Sequence, residues 1–387
     1  MSRIEELINR LCPDGVEFKK LGEICKSTCS GGTPNSSNVS YYNGNIPWLR
    51  TQEVDWCNIT DTSLKITEEG LKNSSAKWIP VNCVIVAMYG ATAGKVAINK
   101  IPLTTNQACC NLEIDGKIAY YRYVYHYLAK NYLLIKSQGR GSQSNINSNI
   151  IKNLNIPIPP LEIQQEIVRI LDNFTELTNE LTNELTARKK QYEYYRDKLL
   201  TFDKDDDKVK WMKLGEVAEI NRGVRVVKRE LSNSEGYPVF QNSLIPMGFY
   251  KDYNCSANTT FVISAGSAGE IGYNNYNFWA ADDCLVINTD KEKLCNKFIY
   301  YFLLTQKYSI LSKVRKASVP RISRSVIENM IIPIPSIEIQ QQIINILDRF
   351  DQLYNDLTAG LATEIEARRK QYEYYRDKLL TFKEKKA

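Results

Sequence analysis

One stretch of this chain occurs twice. ARKKQYEYYRDKLLTF at residues 187–202 returns as ARRKQYEYYRDKLLTF at residues 367–382 with a single Lys-to-Arg exchange. A match of that length forces a duplicated architecture before any element is assigned. Upstream, IPIPPLEIQQEIVRILDNF at 156–174 returns as IPIPSIEIQQQIINILDRF at 332–350, and KKLGEIC at 19–25 is echoed by MKLGEVA at 212–218. The repeated unit is a globular segment, a proline hinge and a long helix. It divides the 387 residues into a first globular domain at 1–155, a central helical spacer at 156–208, a second globular domain at 209–331 and a C-terminal helical spacer at 332–387. That division suits a length greater than one hydrophobic core usually organises.

The hinge prolines at 157, 159 and 160, and at 333 and 335, hold the chain extended just ahead of a helix, whose first turn tolerates proline. In the first helix Ile163, Ile167, Ile170, Phe174, Leu177 and Leu181 alternate steps of four and three, the a/d seam of a coiled coil. An extra step of four to Leu185 is a stutter, after which the seam resumes at Tyr192, Tyr195, Leu199 and Phe202. The second helix repeats the pattern through Ile339, Ile343, Ile346, Phe350, Leu353 and Leu357, then takes two steps of four through Leu361 and Ile365. It is one turn longer, and the mismatch is expected to be absorbed near those last two residues. Helices of roughly 60 to 70 Å at 1.5 Å per residue need a partner along the seam, and the nearest is the other copy. Antiparallel pairing within the chain is predicted to set the two globular domains at opposite ends. The run LTNELTNELTAR at 177–188 reads as coiled-coil core. If the helices are also a ruler, each added tetrapeptide lengthens it by about 6 Å, nearly two base-pair steps of roughly 3.4 Å.

Between the helices lie short strand-like runs and turns: SGGTPNSS at 30–37, IPWLRTQEV at 46–54 and WIPVNCVIVAMYGATAGKVAI at 78–98. With amphipathic helices expected over 121–136 and 297–316, the fold class is α+β: two β-rich mixed globular domains separated by two long antiparallel coiled-coil helices. The domains have diverged while the helices have not, so the copies are expected to hold different specificities. Net charge is +6, and it sits in the globular parts, with 15 Lys and Arg against 9 Asp and Glu at 15–155 and 16 against 11 at 209–331. That distribution fits a nucleic-acid partner. The most apolar stretch, VIVAMYGA at 84–91, is too short to span a bilayer, and the charged N-terminus reads as neither signal nor anchor. Ten scattered cysteines without a CxxC pair indicate reduced thiols in a cytoplasmic protein and no tetrahedral zinc site.

No motif in the chain carries the residues a catalytic site would need. GATAGKV at 90–96 has three residues between its glycines and Val after its Lys, so it lacks the spacing and the magnesium ligand of a P-loop, and its counterpart AGSAGEIGY at 265–273 carries Glu270 in place of the lysine. The single histidine, His126, sits in an aromatic helix and reads as a core residue. Asp282 and Asp283 are adjacent, and on a strand they would face opposite sides. No catalytic residue, metal site or cofactor is expected.

Residues suited to DNA are better represented. Arg50 and Gln52, two apart, would share one face of a strand, and their side chains suit bidentate contacts with guanine and adenine. The polar loops add Thr33, Thr92, Lys95, Arg140, Ser142, Gln143 and Asn145. The second domain offers Arg222, Arg225, Lys228 and Arg229, then Arg315, Lys316, Arg321 and Arg324. Some of these would hold phosphates and fix register, and others would reach base edges.

With LCPDGVEFKKLGE, IPIPPLEIQQEIVRILD, the paired ARKKQYEYYRDKLL, AMYGATAGKVAI and TNQACCNL in view, the chain resembles the specificity subunit of type I restriction-modification systems over essentially its full length. The resemblance implies two target-recognition domains that each read half of a split, asymmetric site on double-stranded DNA. It also implies conserved helices that set the gap and dock two methyltransferase subunits, with restriction subunits joining that core, and a polypeptide without an active site or S-adenosylmethionine of its own. The contrasting expectation is a cytosolic coiled-coil scaffold that binds no specific DNA. A standalone enzyme would need an active site that the sequence lacks.

Overall fold

The computed structural model describes residues 3–139 and 145–385. Its contacts fall into two compact units, Met1–Leu181 with Thr363–Ala387, and Thr182–Ala362. Each unit thus combines one globular segment with the start of the long helix that follows it and the end of the other repeat's helix.

In the first unit a five-stranded sheet runs in the order Cys25–Ser30, Cys109–Ile114, Val84–Ala87, Val96–Asn99 and Asn58–Ile59, beside a four-stranded sheet of Leu64–Ile66, Tyr42–Leu49, Leu103–Thr105 and Trp78–Ile79. Val84–Ala87 and Val96–Asn99 are buried at every residue, which is why they read as unbroken apolar runs. The second unit has a four-stranded sheet of Ala218–Arg222, Cys284–Thr289, Thr259–Ile263 and Ile271–Asn274 and a three-stranded one of Phe249–Tyr250, Tyr237–Phe240 and Trp279–Ala280. In both units the proline hinge is itself a strand: Asn155–Ile158 pairs with Glu17–Lys20, and Ile331–Ile334 pairs with Lys210–Lys213. Proline is tolerated there because a two-stranded ladder has only edges.

The long helices span Leu161–Leu199 and Ile337–Leu379, 39 and 43 residues, and the four-residue difference is the extra turn seen in the sequence. Within the second unit the helical segments are antiparallel, since Tyr192 stacks on Tyr354 at 5.0 Å while Tyr195 meets Phe350 at 6.1 Å. The first unit repeats this with Phe174 stacked on Tyr375 at 5.3 Å, and with Leu171, Leu379 and Leu380 in one core. The seam itself departs from the strict heptad. Val168, Leu171, Ile344 and Leu347 are buried along with Ile163, Ile167 and Ile343, while Leu177, Ile346, Leu353 and Leu357 are exposed. Ile170, Phe174, Leu181, Leu185, Ile339, Phe350 and Leu361 are half-buried, and Ile365 is buried. The first turns of each helix are built into the core of a globular part as well as against the end of the other long helix, so they bury a wider stripe than an a/d seam.

Three further expectations are corrected. Each amphipathic segment is two helices, Tyr121–Lys130 and Tyr132–Ser137, then Asn296–Thr305 and Lys307–Ser312, broken at Asn131 and Gln306. At the first break the Asn131 side chain caps the Tyr127 carbonyl, a competition with the helix backbone that asparagine is suited to. Arg50 and Gln52 do not share a strand face. The strand ends at Leu49, and Arg50 precedes a short turn of 3-10 helix at Thr51–Glu53. Asp282 and Asp283 lie in the turn before the strand Cys284–Thr289.

Candidate nucleic-acid interface

In the first unit the loops at one end of the sheets are tied together by backbone contacts. The Gly32 N–H donates to the Thr105 carbonyl at 2.9 Å, Asn106 to Leu49 at 2.9 Å, Met88 to Ala108 at 2.8 Å and Ile146 to Met88 at 2.9 Å. Gly31 is required here, because a Cβ would stand 1.8 Å from the Thr105 carbonyl oxygen. Side chains complete the cluster: the Trp48 indole donates to the Gly32 carbonyl at 3.0 Å, Thr92 Oγ1 donates to the Thr51 carbonyl at 2.6 Å, and Thr33 hydrogen-bonds the Gln107 amide oxygen. Thr33, Arg50, Gln52, Thr92, Lys95 and Asn145 therefore come to one edge. Arg140, Ser142 and Gln143 lie outside the described residues.

The cations on this edge are engaged within the protein. Lys95 Nζ is 2.6 Å from Asp55. The Arg50 guanidinium lies 3.8 Å from Glu53 and donates to Ser63 at 3.3 Å, with its buried Nε left without a hydrogen bond. Gln52 is exposed.

The second unit repeats the scaffold with other side chains. Gly223 donates to the Cys284 carbonyl at 3.0 Å, Ala281 to Phe240 at 2.8 Å, Ser267 to Asn242 at 2.9 Å and Ile322 to Ser264 at 2.9 Å, while Arg315 and Arg321 exchange backbone hydrogen bonds. Val226 and Leu231 anchor the basic loop on a small core with Val239 and Ala281. Arg222, Arg225, Lys228, Arg229, Arg315, Lys316 and Arg321 are all exposed, and none pairs with a carboxylate among the described residues. Arg324 does not join them. It bonds Glu328 at 2.6 Å and lines a groove with Ala218 and Thr289, at the other end of the sheet from Arg222.

Sequence reasoning missed the residues that hold each globular part to its helix. Gln164, fully buried, accepts from the Tyr120 N–H at 2.8 Å and donates to the carbonyls of Pro159 at 2.7 Å and Ile118 at 3.2 Å. Gln340 does the same with Cys295, Pro335 and Lys293 at 2.8, 2.9 and 3.0 Å. The EIQQ repeat was the available signal. Two helical turns beyond, Asp172 receives both guanidinium bonds of Arg122 at 2.5 Å and His126 Nε2 at 2.8 Å, and Tyr372 meets His126 Nδ1 at 3.1 Å. In the second unit Asp348 receives Lys297 and Tyr301, both at 2.7 Å.

Burial would raise Asp172, but the hydrogen bonds from His126 and Arg122 hold it below the usual carboxylate range. Burial lowers His126 below its ordinary value despite the pull of Asp172. The neutral ring therefore donates from Nε2 to Asp172 and accepts the Tyr372 hydroxyl at Nδ1. A histidine whose folded value is depressed contributes stability that is complete above its unfolded value near 6.5 and is lost as pH falls from there toward the folded value. The first unit is thus expected to unfold at lower denaturant at pH 5.5 than at pH 7.5, and His126→Asn to lose most of that difference. Denaturation monitored at both pH values checks this, with imidazole NMR reporting the titration of the one histidine in the chain.

Comparison with known proteins bears on this arrangement. The family model described as the type I restriction modification DNA specificity domain matches residues 13–188 and again 206–367. A putative type I restriction enzyme specificity subunit of Haemophilus influenzae is 30% identical, over 95% of this chain and 96% of that one. The specificity subunit of the EcoR124I/EcoR124II type I restriction enzyme of Escherichia coli is 36% identical, over 67% of this chain and 70% of its own. Among solved structures, a type I restriction-modification S subunit from M. genitalium aligns with a TM-score of 0.58 at 17% identity, covering 95% of this chain and 96% of that one. A chain from a structure on assembly and conformational transition of the type I system aligns at 0.62 and 19%, covering 95% and 98%. At these identities the two structures attest the fold.

Proposed function

The chain belongs to the type I restriction-modification DNA specificity family, and from that premise we propose that it reads one DNA site in two separated halves, one for each globular part. Its family role is target recognition on DNA, that of a specificity subunit and not of a catalytic one. Membership sets aside the scaffold without DNA binding.

The observation that carries the bipartite reading is the loop edge built twice on one scaffold with different side chains. The first edge presents polar groups and internally paired cations around Arg50, Gln52 and Lys95. The second presents unpaired ones from Arg222 to Arg229 and from Arg315 to Arg321. Thr33, Thr92 and Asn145, with the loop of Arg140, Ser142 and Gln143, are assigned to the first half-site, and Arg324 is left out. The globular domains at 1–155 and 209–331 are the readers, and the spacers at 156–208 and 332–387 set the gap. Methyltransferase subunits dock on the exposed parts of the two KQYEYYRDKLL segments, where Tyr194 and Tyr374 are 61% and 63% exposed, and restriction subunits join that core. No helix among the described residues is long and apolar enough to cross a membrane. We place the working complex in the cytoplasm, where the DNA is.

Mapping methylated positions in cells that carry the complete system tests this directly. A two-part asymmetric motif with a fixed gap is expected, and a continuous palindrome would sink the reading. Inserting one TNEL tetrapeptide after Leu181 is expected to change the gap by one or two base pairs and leave both half-motifs intact.

A further inference from the structure

The two units differ in one covered face. The N-terminal helix Arg3–Leu11 has no counterpart in the second repeat, where the first long helix ends at Leu199 and residues 200–209 lead to Lys210 without forming a helix. Ile4 and Leu7, three apart on this short helix, are buried against a core that holds Ile163 and Ile167. Its ends are fixed by charge: Glu5 lies 3.7 Å from Lys378, and Arg10 lies 3.4 Å from Glu162. Beside those anchors Ile163, Glu166 and Leu379 are all buried, with Ile163 and Leu379 in one core with Ile4 and Leu7.

The same seat exists uncovered in the second unit. Ile339 and Leu199, the equivalents of Ile163 and Leu379, are only half-buried, and Gln342, the equivalent of Glu166, is exposed. Ile346 is 40% exposed where Ile170 is half-buried. Every position shifts the same way, as expected for one missing helix. Both charged anchors are retained, Glu338 for Glu162 and Lys198 for Lys378, and neither is in an ion pair among the described residues. The first unit thus supplies a template for what the second lacks.

We infer that the face formed by Lys198, Leu199, Glu338, Ile339 and Ile346 is a docking seat for one amphipathic helix of another subunit in the assembled complex. That helix carries two aliphatic residues three apart, a carboxylate toward its N-terminal end to meet Lys198, and a guanidinium or ammonium near its C-terminal end to meet Glu338. Exposed ion pairs give little affinity, so the apolar contact holds the helix and the two charges set its direction. Because the first unit's seat is filled from within the chain, this contact is made once for each specificity subunit, and it makes a pseudo-symmetric molecule asymmetric toward its partners. The inference rests on the reading that the chain works in a multi-subunit complex.

The test uses the full chain and a labelled peptide of residues 1–12, lactam-bridged on its outer face to hold the helix. Saturable binding of one peptide per chain is expected, weakened at least tenfold by Lys198→Glu with Ile346→Asp and unchanged by Lys378→Glu in the matching segment. Excess peptide is also expected to release a co-purified subunit from the wild-type chain. Absence of saturable binding, or binding indifferent to the paired substitution, overturns the proposal. So does a concentration-dependent homodimer that the same substitution abolishes, since the occupant is then a second copy. If no subunit co-purifies with the chain, the assembly reading fails, while the peptide titration still decides whether the seat exists.

Discussion

Gln164→Leu is expected to be among the most destabilising substitutions in the chain while leaving the second unit intact. The leucine has nearly the same volume, so packing is preserved and the loss isolates the amide. Three backbone groups lose their partner together: the Tyr120 N–H and the carbonyls of Ile118 and Pro159. Each buried group left unpaired costs about 1–3 kcal/mol, so the sum is on the order of 4 kcal/mol, a large part of a domain's margin. These groups join the aromatic helix to the first turn of the long helix, so the variant is also expected to loosen the globular part on its spacer. Urea unfolding should show an early transition. Hydrogen exchange should rise tens of fold or more around residues 118–121 and 160–164, and not around 293–296. Gln340→Leu should give the reverse pattern. Equal effects on both units, or a loss below 1 kcal/mol, would falsify the clamp.

Why that clamp was not legible in the sequence, although the motif was, has a physical basis. The repeat of EIQQ signals constraint, but a glutamine one position from an apolar seam residue gives no sign of whether it faces water or a neighbouring backbone. The aromatic helices gave the same difficulty. Tyr121–Lys130 and Asn296–Thr305 were visible from spacing, while their breaks carry no periodic signal: at Asn131 the side chain caps the Tyr127 carbonyl, and at Gln306 only the backbone N–H meets the last carbonyls of the helix. Coiled-coil periodicity was legible where helix meets helix, at Phe174 with Tyr375 and Tyr195 with Phe350. It misplaced residues where helix meets globular core, since burial of Leu171 and Leu347 is decided by a surface that lies elsewhere in the sequence. Of the DNA-binding candidates, composition could say which side chains suit bases and phosphates. It could not say that Lys95 and Arg50 already hold carboxylates, or that Arg324 pairs with Glu328 at the other end of the sheet from Arg222.

That difference in pairing leads to the second large effect, in which the two halves of the protein contribute unequally to the salt dependence of DNA binding. A cation with no internal partner releases DNA counterions at full value when it meets a phosphate, with a slope of about 0.9 per contact in log affinity against log salt. Replacing Arg222, Arg225, Lys228 and Arg229 together by alanine is expected to flatten that slope by about 3 units and to lower affinity at 0.1 M salt on the order of a hundredfold. Sequence preference in the first half-site should stay unchanged. Lys95 is different, because a phosphate must compete with Asp55 at 2.6 Å. Lys95→Ala should therefore change the slope by well under one unit, and Asp55→Asn should strengthen binding by freeing the lysine. Fluorescence anisotropy with a cognate duplex and the assembled complex, titrated from 50 to 300 mM salt, separates the two. A slope unmoved by the fourfold substitution would remove the basic loop from the interface. A loss confined to the preferred sequence would reassign those residues from phosphates to bases, where each contact is worth about 1–3 kcal/mol of discrimination and carries little salt dependence.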